Sequence, residues 1–376
     1  MVEHKRVSKK GRKERKATTC SMEDEIWKDF PEDLFEAVIA RVPIATFFRF
    51  RSVCRKWNSL VSCESFKQQC AQVKHAKPWF YAINKESILM GTMYDPSLNK
   101  WHHPRVPNEW VMYPVASAGG LVCLHEYNHI RFHVCNPLTR SCKELPARSA
   151  GKPVRSNAAV GMTARNGGYT ILWVGNEGDY QVFDSANNSW IHPGSMPQSV
   201  KLPLALKFST TRAVSVEGTL YFMRSDPDGL LSYEVDTGMW RQYVVPNPHM
   251  GLSCQALAES GGRIMLVGLL TEGAASCVCI WELQMMTLLW KEVDRMPNVW
   301  SSKLYGKKNV RMSCLGNKTL LMLSLRVNHM SRLFTYDLST REWLKLPGCV
   351  VPTTRTRKTQ WIALGTAFHP CLTAIP

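Results

Sequence analysis

The chain of 376 residues is 45% hydrophobic and 10% aromatic, enough to bury a sizeable core and to form more than one domain. Its 47 Lys and Arg against 30 Asp and Glu give a formal charge of +17, which suits an acidic partner, nucleic acid or simply a well-solvated surface. No uninterrupted apolar stretch is long enough to span a membrane, and the basic N-terminus lacks the apolar region of a secretory signal. We therefore expect a protein of the cytoplasm and/or the nucleus.

The cysteine pattern agrees with a reducing compartment. The 13 cysteines are odd in number and scattered, and no CxxC pair occurs. The closest two, Cys277 and Cys279, occupy next-neighbour positions and suit neither a usual disulfide nor a zinc knuckle. We expect reduced thiols, most of them buried as small hydrophobic side chains.

Residues 1–21 are predicted to be a disordered basic tail, because they have almost no apolar side chains to contribute to a core. The run from Lys9 to Lys16 resembles a nuclear import signal, and an unselected basic leader fits it equally well. Met22 is an alternative start that would remove the tail.

Residues 22–70 are predicted to form a helical domain. Pro31 suits the first position of a helix because its missing N–H would be unpaired there, and Glu32 and Asp33 complement the helix dipole. An apolar stripe follows at helical spacing: Leu34, Phe35, Val38, Ile39 and Val42. Pro43 ends this helix, and a second series follows: Phe47, Phe50, Cys54, Trp57 and Val61. So small a unit often packs on something else.

Residues 71–376 read as an all-β domain with a repeat of about 50 residues, a period typical of propeller blades. Each copy has an acidic or Asn residue, a short turn, an aromatic residue and then Pro. The acidic or Asn positions are Asp95, Asn136, Asp184, Glu234, Glu282 and Asp337. The aromatic positions are Trp101, Trp190, Trp240, Trp290 and Trp343, with Cys142 in the second copy.

Six copies predict six blades of four strands each. In the fourth copy the strands are predicted at Arg212–Val216, Thr219–Arg224, Leu230–Val235 and around Trp240, with Asp and Gly in the turns. Similar turns are predicted at Gly119-Gly120, Gly167-Gly168, Gly261-Gly262 and Gly316-Asn317.

The first copy has room for only three strands, whereas Trp361–Phe368 is an unassigned apolar run near the C-terminus. A ring whose last strand completes its first blade has no free edge. We therefore predict that 361–368 pairs with the blade begun at 79–101.

The repeated Trp residues are predicted to pack between blades. Loops on the rigid scaffold are better candidates for binding another protein. Two loops are candidates: Asn108–Tyr113, with Trp110 and Tyr113, and Asn298–Lys308, with Trp300, Tyr305, Lys307 and Lys308.

The segment from His125 to His129 formally matches HExxH, the zinc-protease motif. That motif requires both histidines on one face of a helix. Here it lies between two strand-like runs and is predicted to be a hairpin tip, so we predict no metal site and no catalytic residue.

Residues 30–61 resemble an F-box. Pro31, Leu34, Val38, Ile39, Pro43, Arg51, Cys54, Trp57 and Leu60 fit the family pattern, while Phe30 and Val42 replace Leu by another apolar residue. With the propeller repeats behind it, the chain is similar to plant F-box/kelch-repeat proteins, particularly the leaf-development-associated group. One departure concerns the paired glycines, which close the second strand in kelch repeats but precede it here.

The resemblance implies an α+β multidomain protein: a short helical F-box, then an all-β kelch-like propeller of six blades closed by the C-terminal strand. It also implies a substrate-recognition subunit of a Skp–cullin–F-box ubiquitin ligase, without cofactor or catalytic centre. The expected contacts with the Skp adaptor are Phe30, Pro31, Leu34, Ile39, Pro43 and Trp57. The same residues would also serve simply to hold the helical unit together.

Three other functions remain open from sequence. A copper oxidase of the galactose-oxidase type shares kelch repeats, but it is secreted and needs a His/Tyr metal set, for which His102-His103 is thin evidence. The positive charge alone suits a nucleic-acid-binding protein, but no recognition motif accompanies it. An adaptor-bound scaffold without a role in degradation would have the same sequence features as the receptor.

Overall fold

The structure, a computed structural model, describes most of the chain in segments. These are residues 31–73, 77–84, 87–103, 112–126, 131–148, 158–165, 167–175, 178–191, 196, 213–225, 228–317, 319–327, 330–348 and 364–376. The chain divides into two compact units, one ending at Asn58 and the other beginning at Ser59. The predicted tail, and Phe30 and Trp110 among the predicted contacts, lie outside the described residues.

The first unit contains three helices: α1 Glu32–Ala40, α2 Ile44–Phe50 and α3 Arg55–Ser59. Pro31 and Pro43 stand directly before α1 and α2 as their N-caps. Proline suits these positions because the first N–H groups of a helix have no intrahelical acceptor. The last helical residue, Ser59, is the first residue of the second unit, which continues with a 3₁₀ turn at Leu60–Ser62 and α4 at Glu64–Gln72.

Six four-stranded antiparallel sheets follow, numbered here as blades 1–6. Blade 1 consists of β1 Trp79–Asn84, β2 Ser87–Asp95, β3 Lys100–His102 and the C-terminal β24 Leu364–Phe368. Blade 2 consists of β4 Met112–Ala118, β5 Leu121–Glu126, β6 Phe132–Cys135 and β7 Cys142–Glu144. Blade 3 consists of β8 Ala159–Arg165, β9 Gly168–Val174, β10 Tyr180–Asp184 and β11 Ser189–Ile191.

The second half of the ring repeats this plan with longer strands. Blade 4 consists of β12 Val214–Val216, β13 Thr219–Ser225, β14 Asp228–Glu234 and β15 Met239–Val244. Blade 5 consists of β16 Leu252–Ser260, β17 Arg263–Glu272, β18 Ala275–Gln284 and β19 Leu289–Arg295. A short helix, α5 Asn298–Ser301, and a 3₁₀ turn at Ser302–Leu304 lead to blade 6, with β20 Arg311–Asn317, β21 Leu320–Val327, β22 Met330–Asp337 and β23 Glu342–Lys345.

The six blades close into a ring, as predicted. The first strand of each blade contacts the first strand of the next, in the order β24, β4, β8, β12, β16, β20 and back to β24. The C-terminal strand β24 pairs with β1 from Trp79 opposite Phe368 to Ile83 opposite Leu364. Buried hydrophobic clusters fill the spaces between neighbouring blades. The prediction that the C-terminal run completes the first blade is confirmed.

One predicted turn is wrong. Gly316 and Asn317 lie inside β20, and the turn follows them, since Asn317 pairs with Leu320. A Cβ at position 316 would approach the Leu321 side chain to 2.6 Å and Ala258 Cβ to 2.9 Å. The glycine is therefore required by close packing against blade 5 rather than by turn geometry.

The acidic residue ends the third strand in blades 1, 3, 4 and 6, and Asn136 directly follows it in blade 2. Asp95 Oδ1 accepts the backbone N–H of Ser97 at 2.8 Å, and Asn136 Oδ1 accepts that of Leu138 at 3.0 Å. These Asx turns are a short-range interaction that only Asp or Asn makes well. The residue four positions after the acid or Asn has positive φ in blades 1, 2, 3, 4 and 6: Asn99, Arg140, Asn188, Gly238 and Arg341.

Asp337, the acidic residue of blade 6, stabilises the propeller to an extent that depends on pH. Burial raises its pKa, but hydrogen bonds from Ser339 and Lys77 lower it by more, so the pKa lies below its ordinary value. A depressed folded-state pKa adds stability above the unfolded-state pKa of about 4, and that stability is lost as pH falls through the folded-state value. For Asp337→Asn, we expect a loss of about 1 kcal/mol near neutral pH.

The Asn side chain keeps the turn acceptor, as Asn136 does in blade 2, and loses only the charge. The difference in unfolding temperature between wild type and Asp337→Asn is therefore expected to shrink as pH falls below about 4. A difference that stays constant with pH would show that the carboxylate charge adds nothing.

In every blade except blade 5, the residue before the acid or Asn lies directly opposite the aromatic position of the fourth strand, which Cys142 occupies in blade 2. In four blades Trp follows the acidic residue by six positions, and the facing pairs there are Tyr94–Trp101, Phe183–Trp190, Tyr233–Trp240 and Tyr336–Trp343. In blade 5 the third strand runs two residues further, so Trp290 lies opposite Leu283.

The repeated Trp residues connect neighbouring blades, which confirms their predicted role. Trp101 Nε1 donates to the carbonyl of Pro347 at 3.0 Å, and Trp190 Nε1 donates to that of Pro146 at 2.8 Å. Each acceptor follows the fourth strand of the preceding blade. A ring carrying a polar N–H suits this boundary, because the apolar body is buried while the donor finds a partner.

Blade 2 has a disulfide where blades 1, 3, 4 and 6 have an aromatic pair. Cys135 and Cys142 face each other on β6 and β7 and are bonded in the structure. The expectation of uniformly reduced thiols is therefore corrected, because the Asx turn places these two positions within bonding reach. Cys277 and Cys279 are not bonded to each other, in agreement with the expectation from their spacing.

Within the described residues, no helix has the length and apolar character needed to cross a bilayer.

Candidate functional site

The predicted apolar stripe of α1 divides into an exposed part and a buried part. The side chains of Leu34 and Val38 are 51% and 56% exposed, whereas Ile39 is only 5% exposed. Residues three or four positions apart share a helix face, so Leu34 and Val38 form one strip with Pro31 at its start. We call these three residues, Pro31, Leu34 and Val38, the apolar edge.

The opposite side of α1 belongs to the interior of the helical unit. Trp57 lies between Phe35, at a ring-centroid distance of 5.6 Å, and Phe50, at 4.9 Å. An exposed ion pair joins Lys56 to Glu32 at 2.7 Å, and the Lys56 ammonium lies 5.0 Å from the Phe35 ring centroid. These contacts fix α1 relative to α3, so the apolar edge is presented by a packed scaffold.

The predicted adaptor contacts therefore occupy different environments. Pro31, Leu34 and Pro43 are exposed, Trp57 is half-buried, and Ile39 is buried. Val38 was not among the predicted contacts although its spacing from Leu34 placed it on the same strip. The stripe in the sequence could not show which of its members face the core, because both faces of α1 are apolar.

The propeller presents one end with short turns and one end with longer connections. In each antiparallel blade, the turns from strand one to two and from strand three to four lie at the first end. The connections from strand two to three, and from the fourth strand to the next blade, lie at the other, here called the loop end. Residues 245–251 and 296–310 are examples of loop-end connections.

The described residues of both predicted binding loops belong to the loop end. The first joins β3 to β4, where Tyr113 is half-buried with its ring 5.8 Å from that of His125. The second joins β19 to β20, where Trp300 packs on Phe334 at 5.0 Å and Tyr305 is 67% exposed. Among the described aromatic candidates, Tyr305 is thus the one most available to a partner.

Arg148 is a buried cation that the sequence did not reveal. It follows β7 at the loop end, and its guanidinium lies 3.4 Å from the centroid of the Trp173 ring. Burial lowers the pKa of Arg148 to about 10, while the nearby Asp179 acts in the opposite direction. The stacked geometry anchors the start of the β7–β8 connection through a cation–π contact.

The first strands surround a narrow central channel of about 80 Å³. Its wall includes Ser117, Ser215, Gln255 and Thr366. The Ser117 hydroxyl lies 2.9 Å from that of Thr366 and donates to the carbonyl of Ala367 at 2.5 Å. These two contacts of Ser117 join β4 of blade 2 to β24 of blade 1.

The HExxH segment does not have the geometry of a zinc protease. His125 and Glu126 are the last residues of β5, a strand, and residues 127–130 lie outside the described part. Among the described residues, no three His, Cys, Asp or Glu side chains are grouped closely enough to hold a metal.

A small helical unit followed by a six-bladed ring is the architecture of F-box proteins that carry a propeller. Comparison with known families agrees: an F-box domain model matches residues 27–69, and an F-box associated beta propeller domain model matches residues 80–258. The chain belongs to this family of F-box proteins with an F-box-associated propeller.

Similar proteins share both parts. The Arabidopsis thaliana F-box only protein 6 is 54% identical over 94% of this chain and 76% of its own length. The Arabidopsis Protein UNUSUAL FLORAL ORGANS is 26% identical over 87% of this chain and 80% of its own length. The name F-box/kelch-repeat occurs among more distant Arabidopsis relatives, one of them 22% identical over 89% of this chain.

Proposed function

We propose that this protein is a substrate receptor of a Skp–cullin–F-box ubiquitin ligase. The apolar edge, together with Pro43, docks on the Skp adaptor and through it on a cullin, and the propeller binds the protein to be ubiquitinated. The observation that carries the proposal is the exposure of Leu34 and Val38 on a rigid helix within an F-box.

An exposed apolar strip of this kind favours binding of a partner protein that covers it. Covering a Leu or Val side chain stabilises a complex by about 1.5–3 kcal/mol, so two such residues supply a useful anchor. Glu32 and Lys56 beside the strip are already paired with each other, which keeps the rim polar without an unpaired charge.

The proposed receptor acts by proximity. Holding a lysine of the bound protein near a loaded conjugating enzyme raises its effective concentration, and the receptor itself needs no catalytic group. The proposal includes a location in the nucleus and/or the cytoplasm, with the basic run from Lys9 to Lys16 as its support. Membership of the leaf-development-associated group is likewise proposed, on the resemblance of residues 30–61.

The test is capture of a purified Skp adaptor by the full chain, compared with Pro31→Ala/Leu34→Ala. Truncating an anchoring Leu removes about 1.5–3 kcal/mol of apolar contact, so we expect adaptor binding to fall at least about tenfold. Both side chains are exposed, so the thermal unfolding of the variant should match that of the wild type.

The matched control is Leu289→Ala/Leu344→Ala, two leucines of similar exposure on outer strands of the propeller. It should bind the adaptor as the wild type does. Failure of the folded wild type to bind any Skp adaptor would overturn the receptor proposal, and metal analysis for a propeller oxidase would then follow.

A further inference from the structure

The segment 298–334 has an unusual charge composition. The whole chain contains 30 Asp and Glu in 376 residues, yet this segment contains none. Its basic residues are Lys303, Lys307, Lys308, Arg311, Lys318, Arg326 and Arg332. All except Lys318, which lies outside the described residues, can be placed in the structure.

The fold gathers these cations at the loop end, where blade 5 meets blade 6. Lys303, Lys307 and Lys308 are exposed on the connection between β19 and β20. Arg311 begins β20 and pairs in register with Arg326 near the end of β21. We call Lys303, Lys307, Lys308, Arg311, Arg326 and Arg332 the basic surface.

Five of the six cations of the basic surface have no carboxylate partner among the described residues. Within those residues, Lys303, Lys307, Lys308, Arg311 and Arg332 form no ion pair with a carboxylate. Arg311 and Arg326 lie directly opposite each other on paired strands, and two like charges in this position add to the positive field.

The carboxylates of neighbouring blade 5 are already engaged. Glu272 lies 3.1 Å from His249, and Glu292 accepts from Arg295 at 2.5 and 2.9 Å. Asp294 accepts the Nε1–H of Trp343 at 3.3 Å. None of these three carboxylates forms an ion pair with Lys303, Lys307 or Lys308, so those lysines remain available to an acidic partner.

The connection that carries the lysines is held in place. Leu304 and Met296 are buried, Trp300 packs on Phe334, and the Gly306 N–H donates to the carbonyl of Ala274 at 2.8 Å. Tyr305 remains 67% exposed and Val299 71% exposed beside the lysines. The result is a preorganised surface that combines cations with apolar side chains.

We propose that the basic surface binds an acidic, Asp/Glu-rich segment of a partner protein, an inference that rests on the proposed receptor function. Complementary charge steers such a segment to the loop end, and Tyr305 and Val299 receive its apolar side chains. The cations cluster at one blade junction rather than along an extended track, which suits a short peptide better than a nucleic-acid backbone.

The test measures fluorescence anisotropy of a labelled peptide in which Asp and Glu alternate with Gly and Leu, added to the full chain. A peptide with Asn and Gln in place of the acids is the ligand control. The protein variant is Lys303→Glu/Lys307→Glu/Lys308→Glu. The matched variant, Lys100→Glu/Arg241→Glu/Lys291→Glu, makes the same charge change at exposed positions of outer strands.

We expect the loop variant to bind the acidic peptide roughly tenfold or more weakly, and the matched variant to lose less than about threefold. Wild-type binding should weaken as salt rises toward about 0.15 M, where charges are screened beyond about 8 Å. Equal affinity in the two variants would overturn the inference. So would tighter binding of random RNA or duplex DNA than of the peptide, lost in the loop variant.

Adaptor capture by the same proteins separates the two proposals. A loop variant that captures the adaptor and binds the peptide as tightly as the wild type refutes only the acidic-segment inference. A wild type that binds the peptide but no adaptor refutes only the ligase receptor.

Discussion

A chain that ends at residue 360, and so lacks β24, is expected not to form a stable propeller. In the complete ring β24 is the first strand of blade 1, paired with β1 and in contact with β4 and β20. Without it, blade 1 keeps three strands, and both β1 and the neighbouring first strands expose edges and apolar surface.

The size of the loss follows from the contacts of β24. Phe368 and Ala367 are almost completely buried, and burying a Phe contributes about 1.5–3 kcal/mol. Five residue pairs join β24 to β1, with a net contribution of about 0.5–1.5 kcal/mol for each hydrogen bond. The total, on the order of 5–10 kcal/mol, is comparable to the whole stability of a typical domain.

Circular dichroism during heating and size-exclusion chromatography would measure this effect. The truncated chain should aggregate or unfold far below the wild type. A chain that ends at Ala374 is the control: it removes only two residues and keeps the carbonyls of Cys371 and Ala374, which accept from Asn136 at 2.8 and 2.9 Å. It should unfold as the wild type does.

A synthetic peptide covering residues 361–376 should restore a folded ring to the truncated chain, because strand addition needs no covalent link. The same peptide with Gly365→Val should fail, since a Cβ there would approach the carbonyl oxygen of Tyr81 to 2.6 Å. A truncated chain with wild-type unfolding behaviour would show that the ring closes without β24.

The repeat pattern predicted the ring because each of its parts has a local physical cause. Asp95 and Asp337 accept turn N–H groups, and that requirement is visible in sequence as an acid before a turn. Trp101 and Trp190 combine apolar bulk with one donor, which suits a boundary between blades. Such short-range rules survive in a single sequence, so blade number and closure could be predicted.

The disulfide between Cys135 and Cys142 was not predicted from the sequence, although the repeat contained the information for it. Their spacing equals that of Tyr94 and Trp101, which face each other on paired strands. If the second copy had been aligned with the first by its strand pairing, and not only by the acidic or Asn residue, Cys135 and Cys142 would have been predicted to face each other. The absence of a CxxC motif was a poor guide, because cross-strand pairs need no such spacing.

The candidate binding surfaces were only partly predictable, since exposure depends on tertiary packing. Leu34 and Ile39 belong to one apolar stripe, yet one is exposed and the other buried. Trp300 and Tyr305 share a loop, yet the first packs on Phe334 while the second points outward. Residue type indicated candidate loops but not which side chains within them are exposed.

Trp240→Ala is the single substitution expected to destabilise the ring most among those at the repeat positions. Trp240 is 7% exposed, with ring centroids 4.7 Å from Tyr233 in its own blade and 5.1 Å from Tyr180 in blade 3. Truncating a buried Trp leaves a cavity and costs about 3–5 kcal/mol. The variant should unfold at a lower urea concentration than the wild type. Without urea, its secondary structure should match that of the wild type.

A second substitution at Tyr180 measures how much of the stabilisation by Trp240 comes from its contact with blade 3, apart from the loss of the Trp side-chain volume. In a double-mutant cycle of Trp240→Ala and Tyr180→Leu, we expect a coupling of about 0.5–1.5 kcal/mol, the usual range for an edge-to-face aromatic pair. Tyr305→Ala, which removes an exposed ring, should leave the unfolding midpoint unchanged. Strictly additive effects of the two substitutions would mean that Trp240 stabilises its own blade alone, and that the boundary between blades 3 and 4 depends on the surrounding aliphatic cluster instead.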